Sequence, residues 1–136
     1  MSRPPTYARK VDSSHRAIVR VLEAAGCSVV AIQSPRPGLP DLIVGVAGRT
    51  HLVECKPPST RKDGAQSPQS SLRATQASFA ARWRGSPVHV LRTPAEAVEL
   101  VNLLRLTADT LRQAAEAKAR ENARGSEIAA EPRNVP

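Results

Sequence analysis

The chain of 136 residues has few aromatic residues, few cysteines and no long apolar run. With one Trp, one Tyr and one Phe, it has no platform for stacking several unpaired bases. No apolar segment approaches the roughly 20 residues of a membrane-spanning helix, and no apolar stretch follows the N-terminus as in a secretory signal. Two cysteines do not make a disulfide framework. We therefore expect one small soluble domain in a reducing, cytoplasmic compartment.

Acidic residues are scarce in the first two thirds of the chain. Overall, 20 Lys and Arg stand against 12 Asp and Glu, a net charge of +8. Residues 1–92 hold 14 basic and 5 acidic residues, whereas residues 93–136 hold 6 and 7. A surplus of basic residues concentrated in this way indicates that the binding partner is a polyanion such as nucleic acid. One alternative is that the surplus of charge only keeps the protein soluble. The other is binding to a membrane surface, although no segment has the pattern of a basic amphipathic helix.

Periodicity and turn residues predict a mixed α/β domain in the order α-β-β-β-α-β-α. Asp12 is a candidate N-cap for the first helix and Gly26 ends it. Residues 93–96, with the sequence TPAE, form a capping-box motif for a later helix. The predicted strands span residues 27–33, 41–46, 51–56 and 87–91, and the predicted helices span residues 13–25, 73–84, 94–106 and 107–124.

Composition divides the chain into four parts. Residues 1–11 are a flexible basic arm, and residues 12–106 form the domain. Residues 107–124 form an alanine-rich C-terminal helix, and residues 125–136 have the composition of a disordered tail.

Two strands are predicted to form a hairpin around residues 47–50. Gly48 suits the first central position of a two-residue type II′ turn, with Arg49 second. That register pairs Lys56 with Asp41 and places Glu54 diagonally from Asp41 on the same face. The neighbouring positions are apolar, so we expect both faces of these strands to be buried.

Acidic side chains among buried strands require compensation, because burial of a charge is costly unless it is paired or bound to an ion. Two neighbouring carboxylates repel each other, and one of them tends to protonate. A divalent cation removes this conflict, and oxygen ligands favour Mg²⁺ or Mn²⁺ over zinc. The alternative is a solvated ion cluster at the end of a hairpin.

Pro40-Asp41 followed by Glu54-Cys55-Lys56 resembles the signature of PD-(D/E)XK nucleases. Three further features point to one branch of these nucleases. They are the helix that ends at Gly26, the sequence GLPDLIVG at residues 38–45, and the later helix with Gln76, Phe79 and Trp83. Over about residues 10–101 the chain resembles the stand-alone VRR-NUC branch, which is common in phages and bacteria and similar to archaeal Holliday-junction resolvases. This implies a restriction-endonuclease-like mixed sheet flanked by helices.

The resemblance also implies an activity: a Mg²⁺- or Mn²⁺-dependent DNA endonuclease, selective for branched or Holliday-junction DNA, in a bacterial or phage-infected cell. Asp41, Glu54 and the backbone carbonyl of Cys55 would hold the metal. Lys56 would position or deprotonate the attacking water. Gln76 would orient Lys56 or the water. A homodimer would provide two active sites for paired nicks.

Related proteins often add an acidic residue from the first helix. Here the aligned position is His15, with Asp12 one turn earlier, and both are candidates for a further metal ligand. The alternatives are a helix cap for Asp12 and a surface or phosphate-contacting role for His15. This departure keeps a second hypothesis open, a non-catalytic DNA-binding module with the same fold.

The remaining candidates carry less weight. Phe79 and Trp83 share a helical face and are interpreted as core, and His51 and His89 as ordinary strand residues. Leu111 belongs to an apolar stripe, shared with residues 100, 101 and 104, that either packs on the sheet or forms a dimer. The candidate phosphate contacts are Arg36, Arg49, Arg61, Lys62, Arg73, Arg82 and Arg84, and the alternative for each is a solvated surface charge.

Overall fold

A computed structural model describes residues 6–59, 62–63, 65, 67–68 and 71–130. Its order of elements is the predicted α-β-β-β-α-β-α. No helix in the described part of the chain is long and apolar enough to cross a membrane. The elements are α1 (Thr6–Ala24), β1 (Ser28–Ala31), β2 (Leu42–Val46), β3 (Arg49–Cys55), α2 (Ala74–Arg82), β4 (His89–Leu91) and α3 (Pro94–Ala130).

The four strands form one mixed sheet in the order β1-β2-β3-β4. The first three strands are antiparallel neighbours, whereas β4 runs parallel to β3. A parallel neighbour requires a crossover, and α2 lies in that connection. The predicted mixed sheet with flanking helices is therefore confirmed.

The core lies on one face of the sheet, between the strands and the helices α1 and α3. Burial alternates along β2, where Leu42, Val44 and Val46 are buried. On the opposite face Ile43 is 38% exposed and Leu52 is partly exposed. The prediction that both faces are buried is therefore wrong. The buried apolar residues of the helices are Ile18, Leu22, Ala97, Leu100 and Val101.

The turn of the hairpin differs from the predicted type II′ turn. Ala47 and Gly48 both have positive φ, 53° and 75°, which is the pattern of a type I′ turn. Val46 therefore pairs with Arg49, and Ile43 pairs with Leu52 rather than with Glu54. A shift of two residues preserves which side chains share a face. Extended by one pair, the register places Asp41 level with Glu54 instead of Lys56.

The first helix is longer than predicted. α1 begins at Thr6, so Asp12 lies inside the helix and is not its N-cap, and residues 6–11 of the predicted arm are helical. No Gly or Pro interrupts residues 6–12, which lets the helix extend past the predicted start. Residues 1–5 lie outside the described residues.

The last helix is also longer than predicted. α3 is one helix of 37 residues that joins the two predicted helices and includes residues 125–130 of the predicted tail; residues 131–136 lie outside the described residues. The amide of Glu96 donates to the Thr93 hydroxyl at 3.2 Å, as in the predicted capping box, whereas the Glu96 carboxylate accepts from the amide of Arg92. Of the apolar stripe, Leu100 and Val101 pack in the core and Leu111 is exposed.

Gly38 lets the loop between β1 and β2 approach the start of α2. Its φ is +90°, and a Cβ at this position would lie 2.6 Å from the carbonyl oxygen of Thr75. Gly48 has a similar φ of +75°, but a Cβ there would meet no described atom within 4 Å. A side chain at residue 38 would therefore displace α2, while one at residue 48 would only strain the turn.

His51 and His89 face each other across β3 and β4, with ring centroids 5.6 Å apart. Both lie in strands as predicted, but they form a pair. Burial lowers the pKa of each from its ordinary value, and the charge of Arg49 lowers the pKa of His51 further, as that of His51 does for His89. Neither His51 Nδ1 nor His89 Nε2 has a hydrogen-bond partner among the described residues. Protonation of the pair is therefore unfavourable in the folded state.

We predict that Gly38→Ala lowers the free energy of unfolding by about 3 kcal/mol, because left-handed strain and overpacking act together. In the matched control, Gly48→Ala, the free energy of unfolding should fall by about 1 kcal/mol, because only backbone strain acts there. Urea denaturation measures both. Equal losses would contradict the close packing of the loop against α2.

We predict that the paired histidines make stability fall as the pH drops below their ordinary pKa of 6.5. A lowered pKa means that the unfolded chain binds more protons in that range, so acid favours unfolding. Replacing both His51 and His89 with Leu should flatten the slope of stability between about pH 5 and 6.5, relative to the unmodified chain. Parallel pH curves for the two proteins would refute the prediction.

Candidate active site

A cavity of about 510 Å³ opens where β2 begins and β3 ends. It brings together segments far apart in sequence: α1, the loop before β2, the end of β3 and the start of α2. All four residues predicted as catalytic lie in its wall. The lining residues are His15, Gly38, Leu39, Asp41, Glu54, Cys55, Lys56, Pro57, Pro68, Arg73 and Gln76.

Asp41 directly precedes β2 and is held by the backbone of the neighbouring strand. Its Oδ2 accepts a hydrogen bond of 2.8 Å from the amide of Cys55. The buried Pro40 immediately before it restricts the backbone at this point. These constraints fix one carboxylate oxygen against β3.

Glu54 is the most deeply buried charged residue of the site, with 3% of its surface exposed. Its Oε1 accepts a hydrogen bond of 2.7 Å from Gln76 Nε2 and lies 3.4 Å from Lys56 Nζ. Its Oε2 is buried and has no hydrogen-bond partner among the described residues. Glu54 therefore has one oxygen paired to Gln76 and Lys56, and a second, buried oxygen that a proton shared with Asp41 or a cation would satisfy.

Burial, followed by the negative charge of Asp41, raises the pKa of Glu54 from 4.5 to about 7. The charge of Lys56 and its hydrogen bond oppose this shift without cancelling it, and a side-chain hydrogen bond between Glu54 and Asp41 adds to the shift. Two carboxylates that disfavour each other's ionisation are stabilised when a cation lies between them. The electrostatics of the pair therefore fit a divalent metal ion.

Gln76 reaches Glu54 from the first turn of α2. Its Oε1 accepts a hydrogen bond of 2.9 Å from the amide of Arg73, which fixes the orientation of the side-chain amide. The amide group then donates to Glu54. In this structure Gln76 therefore contacts Glu54, and the role that the resemblance implied for it, orienting Lys56 or the water, stays a prediction.

His15 extends the donor set from α1. A ring nitrogen of His15, a carboxylate oxygen of Asp41 and the Cys55 sulfur all lie within 4.8 Å of one another. Burial, followed by the charges of Asp41 and Glu54, raises the pKa of the Cys55 thiol to about 12, so the sulfur stays protonated and is a poor metal ligand. The carboxylate oxygens, which suit Mg²⁺ or Mn²⁺, and the imidazole, which is more typical of zinc and other transition metals, remain as donors.

The predicted phosphate contacts are spread around the molecule. Arg73 lines the active-site cavity, and Arg36 lines an adjoining groove along α2. Arg49 lies at the far end of β3, five residues from Glu54, which is about 17 Å along a strand. Lys62 is exposed in the loop after β3. Arg61 and the side chain of Asp12 lie outside the described residues.

Phe79 and Trp83 are not core residues, so that prediction is wrong. Trp83 is 45% exposed and Phe79 is only partly buried, because α2 lies on the open face of the sheet. The shared helical face suggested burial, but α2 buries none of its residues. One feature of the sequence could have indicated a binding surface here, because residues 64–95 contain four arginines and no Asp or Glu.

Comparisons with known proteins support the fold. No protein-family model and no curated protein matches the chain. A solved structure described as "VRR_NUC domain" matches with a TM-score of 0.53 and 23% sequence identity, covering 68% of this chain and 95% of that one. The likeness confirms the predicted nuclease-like fold.

We predict that protons compete with metal at Glu54, because its pKa of about 7 leaves it largely protonated in mild acid. The affinity for Mn²⁺ should fall by up to about tenfold per pH unit below 7. Isothermal calorimetry at pH 8 and pH 6 measures this. Glu54→Gln should abolish the site, whereas Glu99→Gln, at an exposed position of α3, should leave it intact. Binding that survives in Glu54→Gln would show that the ion lies elsewhere.

Proposed function

We propose that this chain, which has the fold of a VRR-NUC domain, is a metal-dependent DNA endonuclease that hydrolyses phosphodiester bonds. The observation that carries the proposal is the buried Glu54 beside Asp41 and Lys56, whose Oε2 accepts no hydrogen bond from any described residue when the carboxylate is ionised. An oxygen of this kind is costly in a purely structural ion cluster, because its lost hydration is not replaced.

Asp41 and Glu54, together with the backbone carbonyl of Cys55, are the proposed metal ligands, and His15 is the candidate for a further one. A bound Mg²⁺ or Mn²⁺ would supply a more acidic water and stabilise negative charge on the phosphate. The hydrogen bond from the Cys55 amide holds Asp41, and the one from Gln76 holds Glu54. Gln76 is therefore a positioning residue.

Lys56 is placed to act on the reacting groups. It is 7% exposed, and its ammonium lies 3.4 Å from Glu54 Oε1. From there the ammonium positions the attacking water and offsets charge on the phosphate, whereas deprotonation of the water would require Lys56 as the neutral amine. The oxygen of the water forms a bond to phosphorus, the bond from phosphorus to the 3′ oxygen breaks, and that oxygen takes up a proton, which leaves a 5′-phosphate and a 3′-hydroxyl.

DNA is the proposed substrate, and branched DNA such as a four-way junction is the proposed preference. The net charge of +9 over residues 1–92, from 14 basic and 5 acidic residues, supports a polyanion. Paired cleavage of a junction needs two active sites, so the proposal includes a homodimer.

We predict that Asp41→Asn, Glu54→Gln and Lys56→Ala each lower the cleavage rate at least about 100-fold, because each removes a charge from the reacting centre. Binding of DNA should be retained. A panel of linear, flap, fork and four-way-junction DNA with Mg²⁺ or Mn²⁺ measures cleavage, with Glu99→Gln as the matched control. If the unmodified protein binds DNA but leaves every substrate intact with both metals, the proposal fails and the non-catalytic module is favoured.

A further inference from the structure

α2 is a surface helix that buries none of its nine residues, all of which lie in the described part of the chain. It carries the single Phe of the sequence, and the single Trp follows at its C-cap. The rings of Phe79 and Trp83 are stacked, with centroids 5.5 Å apart and planes at 20°. Two aromatic rings thus form an open platform, which has no role in the core.

The surroundings of this platform are basic. Arg36 and Arg82, both exposed, line a groove of about 580 Å³ together with Phe79. Residues 64–95 contain four arginines, at 73, 82, 84 and 92, and no Asp or Glu. Exposed aromatic rings flanked by arginines complement a ligand that carries both planar rings and negative charge. Nucleic acid with an unstacked base has this chemistry.

The platform continues from the active site along a single helix. Gln76, Phe79 and Trp83 have spacings of three and four residues, so they lie on one helical face. Gln76 is bonded to Glu54. Seven residues of helix span about 10 Å, which is about the rise of three stacked nucleotides at 3.4 Å each. A strand cleaved beside Glu54 would therefore reach the rings within a few nucleotides.

Trp83 is held in place at the end of the helix. Its amide donates to the carbonyl of Phe79 at 2.9 Å. Its indole lies against Gly85, where a Cβ would come within 2.6 Å of Nε1. The contacts of the indole with Phe79 and with the backbone at Gly85 restrict its rotation, which lowers the entropic cost of stacking a base on it.

We propose that Phe79 and Trp83 stack an unpaired base of the DNA, while Arg36 and Arg82 contact the adjacent phosphates. This inference rests on the proposed function and deepens it, because it makes the unpaired base the feature that distinguishes flaps, forks and junctions from duplex. A second copy of this chain is the competing occupant of the platform.

Trp83 itself reports the contact, because it is the only Trp in the sequence. Metal-free protein in EDTA is titrated with a forked DNA and with a blunt duplex of the same length. Stacking should quench the indole fluorescence with the fork and not with the duplex. Trp83→Ala should weaken binding of the fork about tenfold and leave binding of the duplex unchanged. Trp83→Phe should restore most of the affinity.

Leu106→Ala is the matched control, since Leu106 is a 66% exposed apolar residue of α3; it should bind both DNAs normally. Equal quenching by both DNAs, or an equal loss of affinity for both in Trp83→Ala, would overturn the inference. So would sedimentation showing that Trp83→Ala converts a dimer into a monomer. Because no metal or cleavage enters these measurements, loss of nuclease activity alone rejects only the proposed function.

Discussion

The convergence of Asp41 and Glu54 is the constraint on which the rest of the site depends. The two carboxylates come from neighbouring strands, and one of them is almost completely buried. Burial, followed by the charge of Asp41, raises the pKa of Glu54, and the surrounding hydrogen bonds hold both groups in place. Arrangements of this kind are costly for stability, so their presence is best explained by a ligand that compensates them.

The fold separates stability from chemistry by using the two faces of one sheet. α1 and α3 pack on one face and bury the apolar residues of β2 and β3. The other face is only partly covered, and α2 lies there without a buried residue. Groups that must contact a large ligand can therefore lie on the open face without weakening the core. Gly38 lets the loop before β2 pack directly against α2, because it has no Cβ to meet the backbone of Thr75.

The element order and the shared face of Asp41, Glu54 and Lys56 were predictable from the sequence, since both follow from periodicity. The turn was not, because Ala47 adopts a positive φ that its residue type disfavours. The prediction of which side chains share a face was unaffected, because the register moved by two residues rather than by one. Local sequence patterns do not predict contacts between distant segments, such as that of His15 with Asp41 or of Gln76 with Glu54. The exposure of Trp83 was missed because a shared helical face does not show which neighbour covers it.

Crystals of the protein soaked in Mn²⁺ would locate the ion through its anomalous signal. We expect a single strong peak between the carboxylates of Asp41 and Glu54, next to the backbone carbonyl of Cys55. A peak bound through the Cys55 sulfur, or crystals in which Glu54 keeps an unpartnered oxygen while Mn²⁺ binds elsewhere, would contradict it.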